Sequence, residues 1–234
     1  MTNGIGRVGW RTQVTPTTSS IITNGLVLNL DAGNAASYSG TGTTWTDLSG
    51  NGNNGTLVNG TGYSSSNGGT MVFDGINDRV SISQTINLGD VFTFDIWFKP
   101  NSYNSMISSE INYMNGGYIM YIPNSSTIYS SPANGAYTAS PNMNLSTNTW
   151  VNISIVRNST SYKWYKNGQL IGTSSIGQPA VNAIPNNFLS TIGSSKQGSY
   201  PFNGNISNIQ VYNTLLSDSE ISINFNALKS RYGL

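Results

Sequence analysis

The chain of 234 residues contains no cysteine and no histidine. The first absence leaves the fold without disulfides and excludes thiol nucleophiles. The second excludes histidine-based triads, and together they remove the usual zinc ligands. Charge is scarce as well: 8% of the residues are charged, against about 25% in an ordinary globular chain. The formal net charge is +1 and no basic stripe is present, so binding nucleic acid by phosphate neutralisation is not expected. No apolar run approaches the ~20 residues that a membrane span needs. Arg7 and Arg11 are not followed by the apolar stretch of a secretory signal, and no signal peptide is expected.

With so little charge, the polar surface has to be built from Asn, Ser, Thr and Gly, a composition of strands and turns rather than of helices. The length suits one large β domain, which often runs past 200 residues as a unit. Phe92, Phe94, Ile96 and Phe98 alternate with Thr93, Asp95 and Trp97, the pattern of a strand with one apolar face. Residues 26–31, 71–73, 79–82, 106–111, 118–122, 127–129, 150–157, 162–166, 169–172, 190–193 and 205–212 read as further strands, with a bulge near Ser207 and Asn208. Asn167-Gly168 supplies the two positive φ values of a type I′ hairpin. Residues 45–55 read as turn chemistry throughout. Ser217-Asp218-Ser219-Glu220 is a capping box, followed by Ile221, Phe225, Leu228 and Tyr232 at roughly helical spacing and closed by Gly233. Residues 1–24 stand apart: 12–24 are Thr- and Ser-rich with Pro16, like a linker, and Arg7, Trp10 and Arg11 form a short arm suited to docking on a partner. The division is therefore an arm and linker over 1–24 and a domain over 25–234. The expected fold is all-β, a two-sheet antiparallel jelly-roll sandwich with one short C-terminal helix.

Several of these stretches resemble one family. Residues 25–32 followed by 45–57, the Phe73-Asp74-Gly75 turn, residues 94–100, 150–157, 165–168 and 202–206, and the terminal helix over 213–233 occur in the order found in the concanavalin A-like (laminin-G-like) lectin and glucanase domains. The resemblance implies a sandwich used mainly to bind glycans or proteins, often with calcium, in a family that also includes glycosidases. The opening, residues 4–11, joined to such a domain, resembles virion structural proteins of tailed phages.

Glycoside hydrolysis normally needs two carboxylates across the scissile bond. Only two glutamates exist. Glu220 belongs to the helix cap and Glu110 stands alone, without the glutamate–aspartate–glutamate pattern of the related glucanases, so no catalytic residue is expected. Asp74 and Asp78, with Asn77 between them, are hard oxygen ligands of the kind calcium takes; the same side chains also suit the backbone N–H groups of a Gly turn. Tyr103, Tyr113, Tyr129, Tyr137 and Tyr200 lie outside the strong strands among Asn and Ser. Tyrosine faces stack on sugar rings while Asn and Ser bond the hydroxyls, and the same mixture builds protein interfaces. The region 101–148 is the expected variable surface. The resulting expectation is a non-catalytic binding module on a virion surface (a fibre, receptor-binding or adhesion component). It would attach to other virion proteins through residues 1–24, recognise glycans or a host surface, and form a homo-oligomer. The alternative is a capsid or tail decoration protein that self-associates and binds no glycan.

Overall fold

The computed structural model describes residues 20–109, 118–130, 138–176, 188–195 and 198–234. The strands in chain order are β1 (Leu26–Asp31), β2 (Thr44–Trp45), β3 (Gly55–Val58), β4 (Gly62–Ser64), β5 (Thr70–Asp74), β6 (Arg79–Asn87), β7 (Phe92–Pro100) and β8 (Ser105–Ser109). They continue with β9 (Tyr118–Ile122), β10 (Tyr129–Ser130), β11 (Thr138–Ala139), β12 (Val151–Arg157), β13 (Ser161–Lys166), β14 (Gln169–Ser175), β15 (Phe188–Ile192) and β16 (Asn203–Tyr212). One α-helix, α1 (Asp218–Leu228), runs into a 3₁₀ turn over Lys229–Tyr232. The strands form two antiparallel sheets. The first has the order β14-β13-β12-β7-β16-β5-β4, with β1 also on β16, and the second β11-β10-β9-β8-β15-β6-β3-β2. The expected sandwich and its terminal helix are both present.

The strand β7 shows why the two sheets hold together. Phe92, Phe94, Ile96 and Phe98 are wholly buried and enter the core between the sheets, each contributing about 1.5–3 kcal/mol of transfer free energy. The opposite face of β7 is not open to water. Thr93 Oγ1 donates to the Thr214 carbonyl and accepts from Leu216 N. Trp97 stacks on Tyr232 at 4.1 Å and on Phe225 at 5.5 Å. The C-terminal helix therefore forms a third layer on the outer face of the first sheet, and β7 is covered on both sides. The cap is as expected: Ser217 Oγ accepts from Glu220 N, and Glu220 Oε2 accepts from Ser217 N at 2.8 Å. Asn167 and Gly168 take φ of 50° and 73°, completing the hairpin between β13 and β14. The register of β16 on β7 shifts between Ile206 and Asn208, where the bulge is expected.

Two differences have clear causes. The stretch read as turn is a residue shorter at each end, because Trp45 closes β2 and Gly55 opens β3. A Cβ there would meet Val80 Cγ1 at 2.6 Å, so glycine serves close strand packing and not a turn. Within the segment read as linker, Ile22 packs on the cluster of Val156, Tyr165, Tyr212, Leu216 and Ile221. Its N–H donates to Asn224 Oδ1 at 2.8 Å, and its carbonyl accepts from Tyr212 Oη at 3.0 Å.

Candidate functional site

The second sheet brings tyrosines together on its outer face. Along β9, Met120 and Ile122 are wholly buried in the core, so the strand alternation turns Tyr121 outward. Tyr129 of β10 is its direct antiparallel partner. The two rings lie 6.3 Å apart and within 19° of parallel, and Tyr200 meets Tyr121 at 5.4 Å and 67°. Tyr121 and Tyr129 are half-buried and Tyr200 is 39% exposed. Tyr121 Oη donates to Asn104 Oδ1; Asn104 is itself held by its N–H on the Ile122 carbonyl at 2.7 Å. Ring faces for stacking and amide and hydroxyl groups for hydrogen bonding are thus combined on one surface.

Tyr129 and Tyr200 are two of the five tyrosines singled out by the sequence. Tyr121 was not among them. It lies in a stretch that reads as a strand, and only the register with Tyr129 reveals the pair. Tyr103 lies elsewhere: it packs against the core and its hydroxyl donates to the Leu145 carbonyl at 3.0 Å, with burial raising its pKa above the ordinary value. It props the loop leading to β12 and is not part of the cluster. Tyr113, Tyr137, Arg7, Trp10 and Arg11 lie outside the described residues.

Asp74 and Asp78 form a tied turn. Asp78 Oδ2 accepts from Asp74 N at 3.0 Å, Asp74 Oδ1 accepts from Ile76 N at 2.7 Å, and Gly75 supplies φ of 80°. Asn59 Nδ2 closes the turn on the Asn77 carbonyl. Asp78 is buried, and desolvation raises its carboxyl above the ordinary range. Each carboxylate thus has one oxygen bonded to a backbone N–H, the structural use such side chains have in a Gly turn. Among the described residues no group of three His, Cys, Asp or Glu is assembled for a metal.

The remaining described carboxylates have structural partners. Asp47 Oδ1 accepts from Asn29 N and Ser49 N, and its Oδ2 from Asn53 N. Asp31 takes a two-point bond from Arg231, and Asp90 pairs with Arg157. Asp218 binds Lys163 and Tyr165, which lowers its pKa. It lines a groove of about 460 Å³ between α1 and the β13–β14 hairpin, beside Leu170 and Ile223. Asp95 is wholly buried under α1, where desolvation pushes it up to about 6 against the bonds from Ser154 and Asn152.

Two packed antiparallel sheets with a covering helix define a two-sheet β-sandwich. Residues 73–222 match the family described as the concanavalin A-like lectin/glucanases superfamily, and the chain belongs to it. Comparison with curated proteins finds no match. Among solved structures, the botulinum neurotoxin serotype D binding domain superposes with a TM-score of 0.65 at 18% identity, covering 87% of this chain and 52% of that one. Domain 4 of AbnA, an extracellular arabinanase from Geobacillus stearothermophilus solved with arabinotriose, gives 0.56 at 16% identity, covering 84% and 96%. A Trypanosoma rangeli sialidase mutant gives 0.61 at 16%, covering 92% and 35%. The chain spans about half the length of the toxin binding domains it resembles. At these identities the likeness is one of fold.

Proposed function

We propose that this chain is a non-catalytic binding module that recognises surface glycans through Tyr121, Tyr129 and Tyr200. The observation carrying this reading is the cluster of three tyrosine rings on the outer face of the second sheet, with Tyr200 well exposed. The arabinanase domain was solved with a sugar chain bound, and a related toxin structure concerns cell entry that depends on two ganglioside molecules; the fold is compatible with such ligands. Against catalysis stands the commitment of the described carboxylates to caps, turns, ion pairs and, for Asp95, a buried hydrogen-bonded site, where none faces another across an open surface at the tyrosine cluster. The test is binding of the purified full chain to a broad glycan array, with and without calcium. Saturable binding to a few related glycans supports the reading, and a blank array from folded protein overturns it.

The location we assign is a virion surface, with the arm that carries Arg7, Trp10 and Arg11 as the attachment to other virion proteins. The linker-like composition of 12–24 and the arm residues Arg7, Trp10 and Arg11 support this division. Antibody labelling of intact particles, seen by electron microscopy, checks it: label on the particle is expected, and its absence from particles that contain the protein refutes an outward position.

A second reading has its own observation. β14 ends the first sheet and carries Leu170 and Ile171, 46% and 38% exposed. A terminal strand with apolar side chains favours association between copies. Sedimentation equilibrium showing a stable oligomer, together with a blank array, supports a self-associating decoration protein.

A further inference from the structure

Tyr200 is held in a backbone conformation that tyrosine seldom adopts. Its φ is 54°, in the left-handed region, where a side chain with a Cβ costs roughly 1–2 kcal/mol. Pro201 follows and further restricts it. The other described non-glycine residues at positive φ are all asparagines, the residue type that tolerates this region best.

The surrounding segment enforces the conformation from both sides. On one side Gly193 N donates to the Ile107 carbonyl at 2.8 Å, Ser195 N to the Ser199 carbonyl at 3.1 Å, and Ser199 N to Ser195 Oγ at 2.8 Å. On the other, Phe202 N returns to the Gly193 carbonyl at 2.7 Å. The Phe202 ring is wholly buried, edge-on to Phe73 and Phe98. Between these anchors Tyr200 stays 39% exposed, with its ring at 67° to Tyr121. A core-packing role does not explain an exposed ring in a strained position. Such strain persists where the surroundings over-determine it, and functional surfaces are where it is commonly found.

We propose that Tyr200 is the specificity-determining residue of the tyrosine surface, its ring fixed before binding as a wall beside the nearly parallel pair of Tyr121 and Tyr129. This rests on the glycan-binding reading. The pair accepts any saccharide with an apolar ring face, and the wall discriminates among them by the shape of the ring's edge. Because the braced loop has already ordered the wall, little side-chain freedom is lost on binding.

Four proteins on the same glycan array test this: the parent, Tyr200→Phe, Tyr200→Ala and Tyr200→Gly. The glycine variant should melt above the alanine variant by about 2–4 °C, since both lose the ring and only alanine keeps the strain. The reverse order overturns the strained wall, whatever the ligand. On the array, phenylalanine should keep the parent's ranking of glycans. Alanine and glycine should lose about tenfold in affinity for the best spot and flatten the ratio between related spots. A parent that binds while the alanine variant keeps both affinity and ranking overturns the role of Tyr200 and leaves the glycan reading standing. A parent that binds nothing overturns both.

Discussion

Asp95 is the residue whose ionisation the fold opposes most plainly. It lies under α1 with no cation beside it among the described residues, accepting from Asn152 Nδ2 at 2.9 Å and from Ser154 Oγ at 2.5 Å. Its neighbours on this face are the hydroxyls of Tyr212, on the adjacent strand β16, and of Tyr232, whose own pKa values are raised in part by its charge. A rise from the usual 3.8 to about 6 corresponds to about 3 kcal/mol. The folded state therefore takes up a proton that the unfolded chain has released. The stability this group contributes is full below about pH 4 and is lost as the pH rises through about 6. In Asp95→Asn that loss should vanish. Measured by urea unfolding from pH 4 to 8, the gap between variant and parent should widen with pH in the variant's favour, and a constant gap would show that Asp95 is not the titrating group. Asp74 and Asp78 give the opposite kind of expectation: with their turn closed by its own hydrogen bonds, EDTA should leave the melting temperature unchanged, and a drop of several degrees would show a bound metal. The turn's Asx pattern was legible in the sequence. The setting of Asp95 was not, because a carboxylate alternating with apolar residues reads as solvent-facing, and the helix that covers it lies more than a hundred residues further on.

At the scale of elements, local signals and distant partners separate cleanly. The alternation in β7, the Asn167-Gly168 turn and the Ser217 box are short-range devices, and each could be read from a few adjacent residues. What α1 covers could not, because the aromatic residues beneath it, Trp97 on β7 and Trp150 just before β12, lie far from it along the chain. The same holds for the candidate site. Tyr129 and Tyr200 stood out by lying outside the strong strands among Asn and Ser, while Tyr121 gained its place only through pairing of β9 with β10. The short strand β3 was hidden by Gly55, which signals a turn locally but here permits close packing. The helix cap offers a direct check. Ser217→Ala removes the acceptor for Glu220 N and should cost about 1 kcal/mol, read as a fall in melting temperature of about 2–4 °C; no fall would mean that α1 is held by its aromatic packing alone. Gly168→Ala should be more damaging than an ordinary surface change. Its φ of 73° disfavours a side chain, and the new Cβ would come within 2.9 Å of Phe225, pushing hairpin and helix apart.

Across the whole molecule, the two ends of the described chain are fastened to each other at two points. Ile22 bonds to Asn224 and Tyr212, Asn224 Nδ2 donates to Tyr212 Oη at 2.9 Å, and Arg231 reaches back to Asp31 at the end of β1. The helix that covers the first sheet is thus held by the segment that enters the domain, and the sandwich is closed by contacts some two hundred residues apart in sequence. Two truncations separate an attachment arm from this closure. Removing residues 1–12 should leave thermal unfolding cooperative and its midpoint unchanged, as expected if Arg7, Trp10 and Arg11 serve a partner. Removing residues 1–24 also takes away both backbone bonds of Ile22 and strands the buried side-chain oxygen of Asn224. At about 1 kcal/mol for each lost bond, the loss of roughly 2 kcal/mol should lower the midpoint by about 4–8 °C. Calorimetry on the two truncated chains and the parent decides the matter. Equal midpoints for all three would show that the helix closes the sheet without the entering segment. A collapse on removing residues 1–12 alone would show that the arm belongs to the folded domain and is not free to anchor it elsewhere.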